Sequence, residues 1–417
     1  MREIQPANQR RETSITVGRR DHSRAPDNRL MKPTLSQADV GGSWRGITQL
    51  GFVSLLIAIA SESARASAGP LLQDLRASAA AVGIVAGSGE LLGYTLRLAA
   101  GNLADRRGGS WRLLFGGTTL GLAAVALLAL AREWWIAAVL LIAERVGRAI
   151  RTPARDVMLA SLSDGIGHGP AFGFHRLFDQ AGGIVGPLVV AALMSFGWSY
   201  QGSFAVLVLP AAGSLVLLLA MRPSPKSHEA AEQRVLGPLP KELWVLCGTG
   251  ALLAAGTADF ALIAFHYAKT GAAVGAAIPA LYAAAMCVEA GAALALGFVL
   301  NRLGRWSLLL TIAMSAVAGP LIFSGAAAPV LAVALWSAGM GGQYLLLRAM
   351  VPQVVGAARR GAAFGLFNTV FGLAWFAGSA AMGVLYARNP SAVGWMSAGL
   401  QLSAVPVLFY NFTAKIE

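Results

Sequence analysis

Gly101-Asn-Leu-Ala-Asp-Arg-Arg-Gly-Gly-Ser-Trp-Arg112 is a charged tract set between two apolar runs, near residues 80–101 and 111–131. Apolar runs of this length are long enough to cross about 30 Å of hydrocarbon as helices, so the tract reads as a tight loop joining two of them. A related stretch, Gly297-Phe-Val-Leu-Asn-Arg-Leu-Gly304, follows a later apolar run and carries glycine, arginine and glycine at the same offsets. A second pair, Phe172-Gly173 and Phe364-Gly365, opens two glycine-rich runs at nearly the same separation. Two matched pairs argue for a duplicated unit, and such repeats place a site between the halves near the bilayer midplane.

Composition agrees with a chain that lives in lipid. It is 56% hydrophobic and only 13% charged, against roughly 25% charged in ordinary soluble proteins. The 49 glycines follow no short period, which excludes a collagen-like chain and suits helices that pack closely where no hydrophobic effect drives them together. Spans are expected near 46–67, 80–101, 111–131, 134–152, 171–195 and 202–221, then near 242–264, 274–298, 306–325, 328–350, 361–386 and 392–412. The fold class is therefore an all-α membrane protein of about twelve transmembrane helices in two six-helix bundles, residues 44–221 and 242–417. Residues 1–43 read as a disordered cytoplasmic tail, and the proline- and charge-rich stretch 222–241 as a cytoplasmic linker. No apolar stretch follows the basic start closely enough for a cleaved signal peptide.

The net charge of +13 would suggest nucleic acid in a soluble protein. Here the arginines and lysines sort by side. Arg106, Arg107, Arg112, Arg148, Arg151, Arg155, Arg222, Lys226, Arg234, Lys241, Arg302, Arg305, Arg359 and Arg360 fall on one side, and Arg76, Arg132, Lys269 and Arg388 on the other. That asymmetry places both termini in the cytoplasm and makes nucleic acid an unneeded partner. Cys247 and Cys287 sit in apolar runs and read as small buried hydrophobes.

With the spans and the repeat, residues 101–112 resemble the signature loop of the major facilitator superfamily, G-x-L-A-D-R-x-G followed by basic residues. Gly101, Leu103, Ala104, Asp105, Arg106 and Gly108 match; the usual basic position after Gly108 is Gly109, with Arg112 the nearest substitute. The resemblance implies an alternating-access secondary transporter whose loop latches the cytoplasmic side. Gly182-Gly183-Ile-Val-Gly186-Pro187 is similar to the glycine–proline motif of the family's antiporters, which implies export. Arg145 stands where the family has a buried arginine implicated in proton coupling, although the glycine expected four residues later is Ala149.

Ionisable groups at membrane depth mark the candidate cavity. Each costs roughly 2.5–3.5 kcal/mol when it faces lipid at mid-bilayer, so they must turn inward and mostly pair. Spacings of three or four residues join Glu62 to Arg65, Glu144 to Arg148, and Arg176 to Asp179; Glu90 and Arg97 share a face two turns apart, and Arg65 and Arg97 lie near enough to span ends to snorkel. The coupling and substrate cavity is assigned to Glu62, Glu90, Glu144, Arg145, Asp179 and Glu289, with coupling concentrated in the first half. Asp259 and His266 fall towards the outer end of the seventh span.

No phosphate loop, metalloprotease helix pair or glycine-flanked nucleophilic serine occurs, so neither ATP-driven transport nor enzymatic activity is expected, and no cofactor. The expected partners are a small-molecule substrate, protons and the lipid bilayer, with the chain a monomer in the bacterial cytoplasmic membrane. Proton antiport with export is the leading expectation. Two others compete: a proton symporter importing a small organic anion through its excess of buried arginines, and a non-transporting sensor on the same scaffold.

Overall fold

The structure is a computed structural model and describes residues 37–104, 109–163, 167–221, 240–303, 306–325, 328–355 and 359–413. The described residues are helical, with short connections. The first half comprises α1 (Gln37–Asp74), α2 (Ala79–Ala104), α3 (Gly109–Leu127), α4 (Trp134–Leu162), α5 (His168–Ser195), α6 (Tyr200–Val206) and α7 (Val208–Ala220). The second comprises α8 (Lys241–Gly256), α9 (Phe260–Thr270), α10 (Ala277–Leu303), α11 (Trp306–Phe323), α12 (Pro329–Val354), α13 (Arg360–Arg388) and α14 (Pro390–Thr413). Alternating direction brings the start of α1 and the ends of α2, α4, α10 and α12 to one face, called here the N-terminal face.

Three expectations are corrected. Helix α1 begins at Gln37, inside the stretch read as tail, because a helix already nucleated in the apolar span extends by one hydrogen bond per residue added. Helix α4 runs ten residues past its expected end at 152, through Leu162. Pro153 inside it does not end it, and the groups that looked like a loop are its own charged side chains. Cys287 is exposed while Cys247 is buried; an apolar residue on an outward helix face meets lipid, so hydropathy alone did not separate the two. Among the described residues, eleven stretches are long and apolar enough to cross a membrane, α8 and α9 counting as one and α4 failing on its charge.

The seventh and sixth spans are each interrupted. Leu207 separates α6 from α7, where Pro210 has no N–H to return to the Val206 carbonyl. Between α8 and α9, Thr257 and Asp259 are extended. Buried backbone groups freed at such a break need partners, and they have them. Asp259 Oδ1 accepts from the Ala261 N–H at 2.9 Å, Trp336 Nε1 donates to the Ala258 carbonyl at 2.9 Å, and Ser397 Oγ donates to that of Gly256 at 2.5 Å. Gln401 Nε2 reaches the Leu253 carbonyl at 3.2 Å and Thr257 Oγ1 at 3.3 Å, while its own oxygen accepts from Gln343 Nε2 at 2.9 Å. Gln401→Leu removes the bonds from Gln401 to Leu253, Thr257 and Gln343, and its expected cost is about 1–3 kcal/mol, read as a lower unfolding midpoint with unchanged helix content.

Glycines set how closely helices approach. A Cβ at Gly182 would meet the Leu55 carbonyl oxygen and one at Gly186 that of Ile59, so the α5 motif lies backbone-to-backbone on α1. Between the halves the same device recurs: a Cβ at Gly83 would meet the Ser379 carbonyl oxygen and lie 3.0 Å from Gly383 Cα. Gly69 stands likewise against Ala261 of α9. The contacts at Gly69 and Gly83 belong to the half of the bundle away from the N-terminal face, and those at Gly182 and Gly186 to its middle.

Candidate functional site

Where α1, α2 and α4 converge, three carboxylates and three guanidinium groups form one ionic network. Arg65 Nη2 lies 2.8 Å from Glu90 Oε1, and Arg145 Nη1 lies 3.2 Å from the same oxygen. Arg148 Nη1 is 2.5 Å from Glu62 Oε1 and its Nε 3.3 Å from Glu144 Oε1. Arg145 Nε, 3.8 Å from Glu144 Oε2, closes the network. One thread leaves the first half: the Tyr282 hydroxyl on α10 donates to Glu62 Oε2 at 2.6 Å. Helix α4 supplies three members at Glu144, Arg145 and Arg148, since Arg148 shares a face with Arg145 three residues before it and with Glu144 four residues before it.

The network is electroneutral, with every carboxylate paired. In a low-dielectric site this is the arrangement that makes six buried charges tolerable, because Coulomb attraction offsets the cost of leaving water. Beside it lies a small cavity lined by Arg65, Glu144, Arg145, Asp259 and Ala261, among others. Asp259 spends one oxygen capping α9, while its Oδ2 is buried without a hydrogen-bond partner.

Glu62, Glu90, Glu144 and Arg145 are thus brought together as expected, but not by the expected pairs. Glu144–Arg148 and Arg176–Asp179 (2.7 Å) form as their spacing suggests. Glu62 binds Arg148 instead of Arg65, and Glu90 binds Arg65 and Arg145 instead of Arg97. Arg65 turns inward and does not snorkel. Asp179 lies apart from the network, 2.7 Å from Arg176 and 4.0 Å from Arg155. Glu289 packs against Gly341 and forms no hydrogen bond or ion pair among the described residues. Tyr282, which ties the network to the other half, carried no signal in sequence, since a tyrosine in an apolar run reads as packing.

Of the loop assigned to the latch, Asp105, Arg106 and Gly108 lie outside the described residues. Gly101 sits near Pro153 of α4, and Arg112 is exposed at the start of α3. Gly182 and Gly186 face α1; a Cβ on Gly183 would lie 3.6 Å from Glu62 Cγ, and Pro187 is buried one turn on. His175 and His266 are also held. Ser54 Oγ and His175 Nε2 are 2.7 Å apart, and His266 Nδ1 and the Tyr386 hydroxyl 2.9 Å apart.

Comparison with known proteins places this geometry. An uncharacterized protein of Mycobacterium tuberculosis is 36% identical over 379 residues, covering 88% of this chain and 93% of the relative. Among solved structures, the nucleoside transporter NupG superposes with a TM-score of 0.71 at 16% identity, covering 88% of this chain and 99% of that one. A bacterial homolog of the human lysosomal transporter Spinster, in an inward-facing and occupied conformation, gives 0.64 at 16% identity over 88% and 94%. At that identity the likeness concerns the fold. Residues 50–379 match the Major Facilitator Superfamily, and the chain belongs to that family as a multi-pass membrane transporter.

Proposed function

We propose that this transporter is proton-coupled and exports a small solute by alternating access, as a monomer in a bacterial inner membrane with both termini cytoplasmic. The observation that carries the reading is Glu62, whose two oxygens hold Arg148 of its own half and Tyr282 of the other. A proton on Glu62 cancels its charge and converts one acceptor oxygen to a donor. Both bonds then weaken together, one of them between the halves. Proton occupancy and the contact between halves are thereby linked, and any group that binds one arrangement better shifts the population towards it. Glu90 and Glu144 hold the compensating charge, so a proton arriving at Glu62 leaves a net positive network that favours release elsewhere.

Orientation is supported by the turns: Arg76, Arg132, Lys269 and Arg388 lie on the face away from the N-terminus, and positive residues there are few. With that face outside, the glycine contacts at Gly69 and Gly83 hold the outer side closed. Export is supported by the α5 motif, which presses its backbone on α1 one turn from Glu62.

The test is flux in reconstituted vesicles with a solute found by thermal-shift screening. An inwardly directed proton gradient should drive the solute out, and Glu62→Gln should lower that gradient-driven flux by about a hundredfold, in the range of removing a positioned proton-transfer group. Flux indifferent to collapsing the gradient would rule out proton coupling. Solute and protons moving in the same direction would favour the symport reading instead.

A further inference from the structure

One step from the ionic network towards the N-terminal face, the two halves meet in a layer of rings bounded by two cations. Tyr94 of α2 and Phe371 of α13 pack edge-to-face with centroids 5.3 Å apart, and Tyr344 of α12 lies 6.3 Å from Phe371. Trp375 continues the row at 5.7 Å. The Arg97 guanidinium lies 5.5 Å from the Tyr94 ring centre. Arg348 lies 4.9 Å from that of Tyr344, to whose hydroxyl it donates, and 5.9 Å from that of Phe364. Because α2 and α12 both end at the N-terminal face, Arg97 and Arg348 each stand about one turn beyond their tyrosines, on the same side of the layer. Tyr94 is within electrostatic reach of both.

Neither arginine has a carboxylate partner among the described residues. Glu90 is taken by Arg65 and Arg145, and Glu289 packs at Gly341, two turns from Arg348 along α12. Arg97 Nε is itself buried without a hydrogen bond, and so are Asn368 Oδ1 and Trp375 Nε1 on the same stretch of α13. Tyr94, Phe371 and Trp375 are buried, while Arg97, Tyr344, Phe364 and Arg348 are half-buried. The layer therefore has an aromatic floor and a cationic rim contributed by both halves. Two guanidinium groups with no carboxylate partner among the described residues attract an anion, and they bind carboxylate or phosphate oxygens in bidentate fashion. A ligand with a negative head and a planar body meets both requirements, the head on the arginines and the ring on the tyrosines and Phe371.

Resting on the transporter reading, we infer that this layer is the substrate site and that its ligand is an aromatic organic anion. Arg145, the arginine a sequence reading would choose for an anion, is already neutralised by Glu90 and Glu144. The probes are 1-naphthoate, its neutral amide 1-naphthamide, and cyclohexanecarboxylate, titrated calorimetrically into the full chain in lipid nanodiscs. Saturable 1-naphthoate binding is expected, with 1-naphthamide and cyclohexanecarboxylate each weaker by about tenfold or more. Arg97→Gln and Arg348→Gln should each weaken 1-naphthoate by about tenfold to a hundredfold, the worth of a charge-assisted hydrogen bond. Arg97→Lys and Arg348→Lys should retain more binding than the glutamine variants.

No saturable 1-naphthoate binding, equal binding of the amide, or unchanged affinity in both glutamine variants would each overturn the site. The amide comparison uses the native chain, so it decides even where a variant fails to fold. Vesicle flux separates the two proposals. Proton-driven movement of a solute of other charge, without 1-naphthoate binding, sinks the anion site and leaves the transporter reading standing. Binding without any flux does the reverse.

Discussion

Arg148→Met is expected to lower the unfolding free energy by about 3–5 kcal/mol, the usual result of removing one member of a buried ion pair. The size follows from what Arg148 holds. Its Nη1 is 2.5 Å from Glu62 and its Nε 3.3 Å from Glu144, and Glu144 is only 3% exposed. Without the guanidinium, three mostly buried carboxylates face only two guanidinium groups, Arg65 and Arg145, both already held by Glu90. The double variant Glu62→Gln/Arg148→Met removes one of the stranded charges with its partner, so it should recover much of the loss. Thermal unfolding in detergent, followed by near-ultraviolet circular dichroism, reads both. A single variant within about 2 °C of the native midpoint would show that the network does not hold these helices. Transport should be lost in both variants, since the Glu62 carboxylate has gone from one and its counter-charge from each.

Gly83→Val should leave the fold standing and stop the transport cycle. At Gly83 the added carbons would meet the Ser379 carbonyl oxygen and the Cα of Gly383, and Gly383 in turn lies against Ala79. These are main-chain atoms of α2 and α13, which cannot swing away as a side chain can; overpacking of this kind costs about 1–3 kcal/mol. The contact lies between the halves, so the strain is relieved by separating them on the outer side. In a background lacking Cys247 and Cys287, Ala79→Cys, buried in the native arrangement, should become reactive to an impermeant maleimide once Gly83→Val is added. Flux should fall by about a hundredfold, or roughly 2.7 kcal/mol in barrier terms. Gly186→Val is the control. Its added carbons meet Ile59 within one half, where no domain motion relieves them, so it should lower the unfolding midpoint without exposing position 79. Native flux and a protected Ala79→Cys would show that the outer side does not open at this seam.

Hydropathy and charge spacing made much of this legible, and the limits have physical causes. The apolar runs mark nearly every span, because backbone polar groups in lipid leave the helix as the economical solution. Helix α4 is marked only as far as 152, since the charges from Arg148 to Asp156 and Pro153 read as a loop, whereas they sit on the helix itself. Spacing along one helix found Glu144–Arg148 and Arg176–Asp179. It failed for Glu62 and Glu90, because the best partner for a buried carboxylate is the guanidinium nearest in depth, and three converging helices offer several. That competition depends on helix rotation, which a spacing of residues does not contain. Tyr282 and the Gln343–Gln401 pair were invisible for a simpler reason: an uncharged polar side chain in an apolar run is as often ordinary packing as a link. The break at Thr257–Asp259 had one cue, Asp259 itself, whose acceptance from the Ala261 N–H marks a helix start.

That break also changes how the seventh span can deform. An unbroken helix bends only by lengthening or losing several i-to-i−4 hydrogen bonds at the bend, and it resists like a rod. Here the main-chain groups of Leu253, Gly256, Ala258 and Ala261 are already held by Gln401, Ser397, Trp336 and Asp259. Rotation about the joint leaves the ladders of both pieces intact. Helix α9 lies against α1 of the opposite half while α8 is tied to α14, so the two pieces answer to different neighbours. The span behaves as a jointed strut with two short stiff arms, and the outer arm can follow α1 through a tilt that a single rod would transmit to the far side of the membrane.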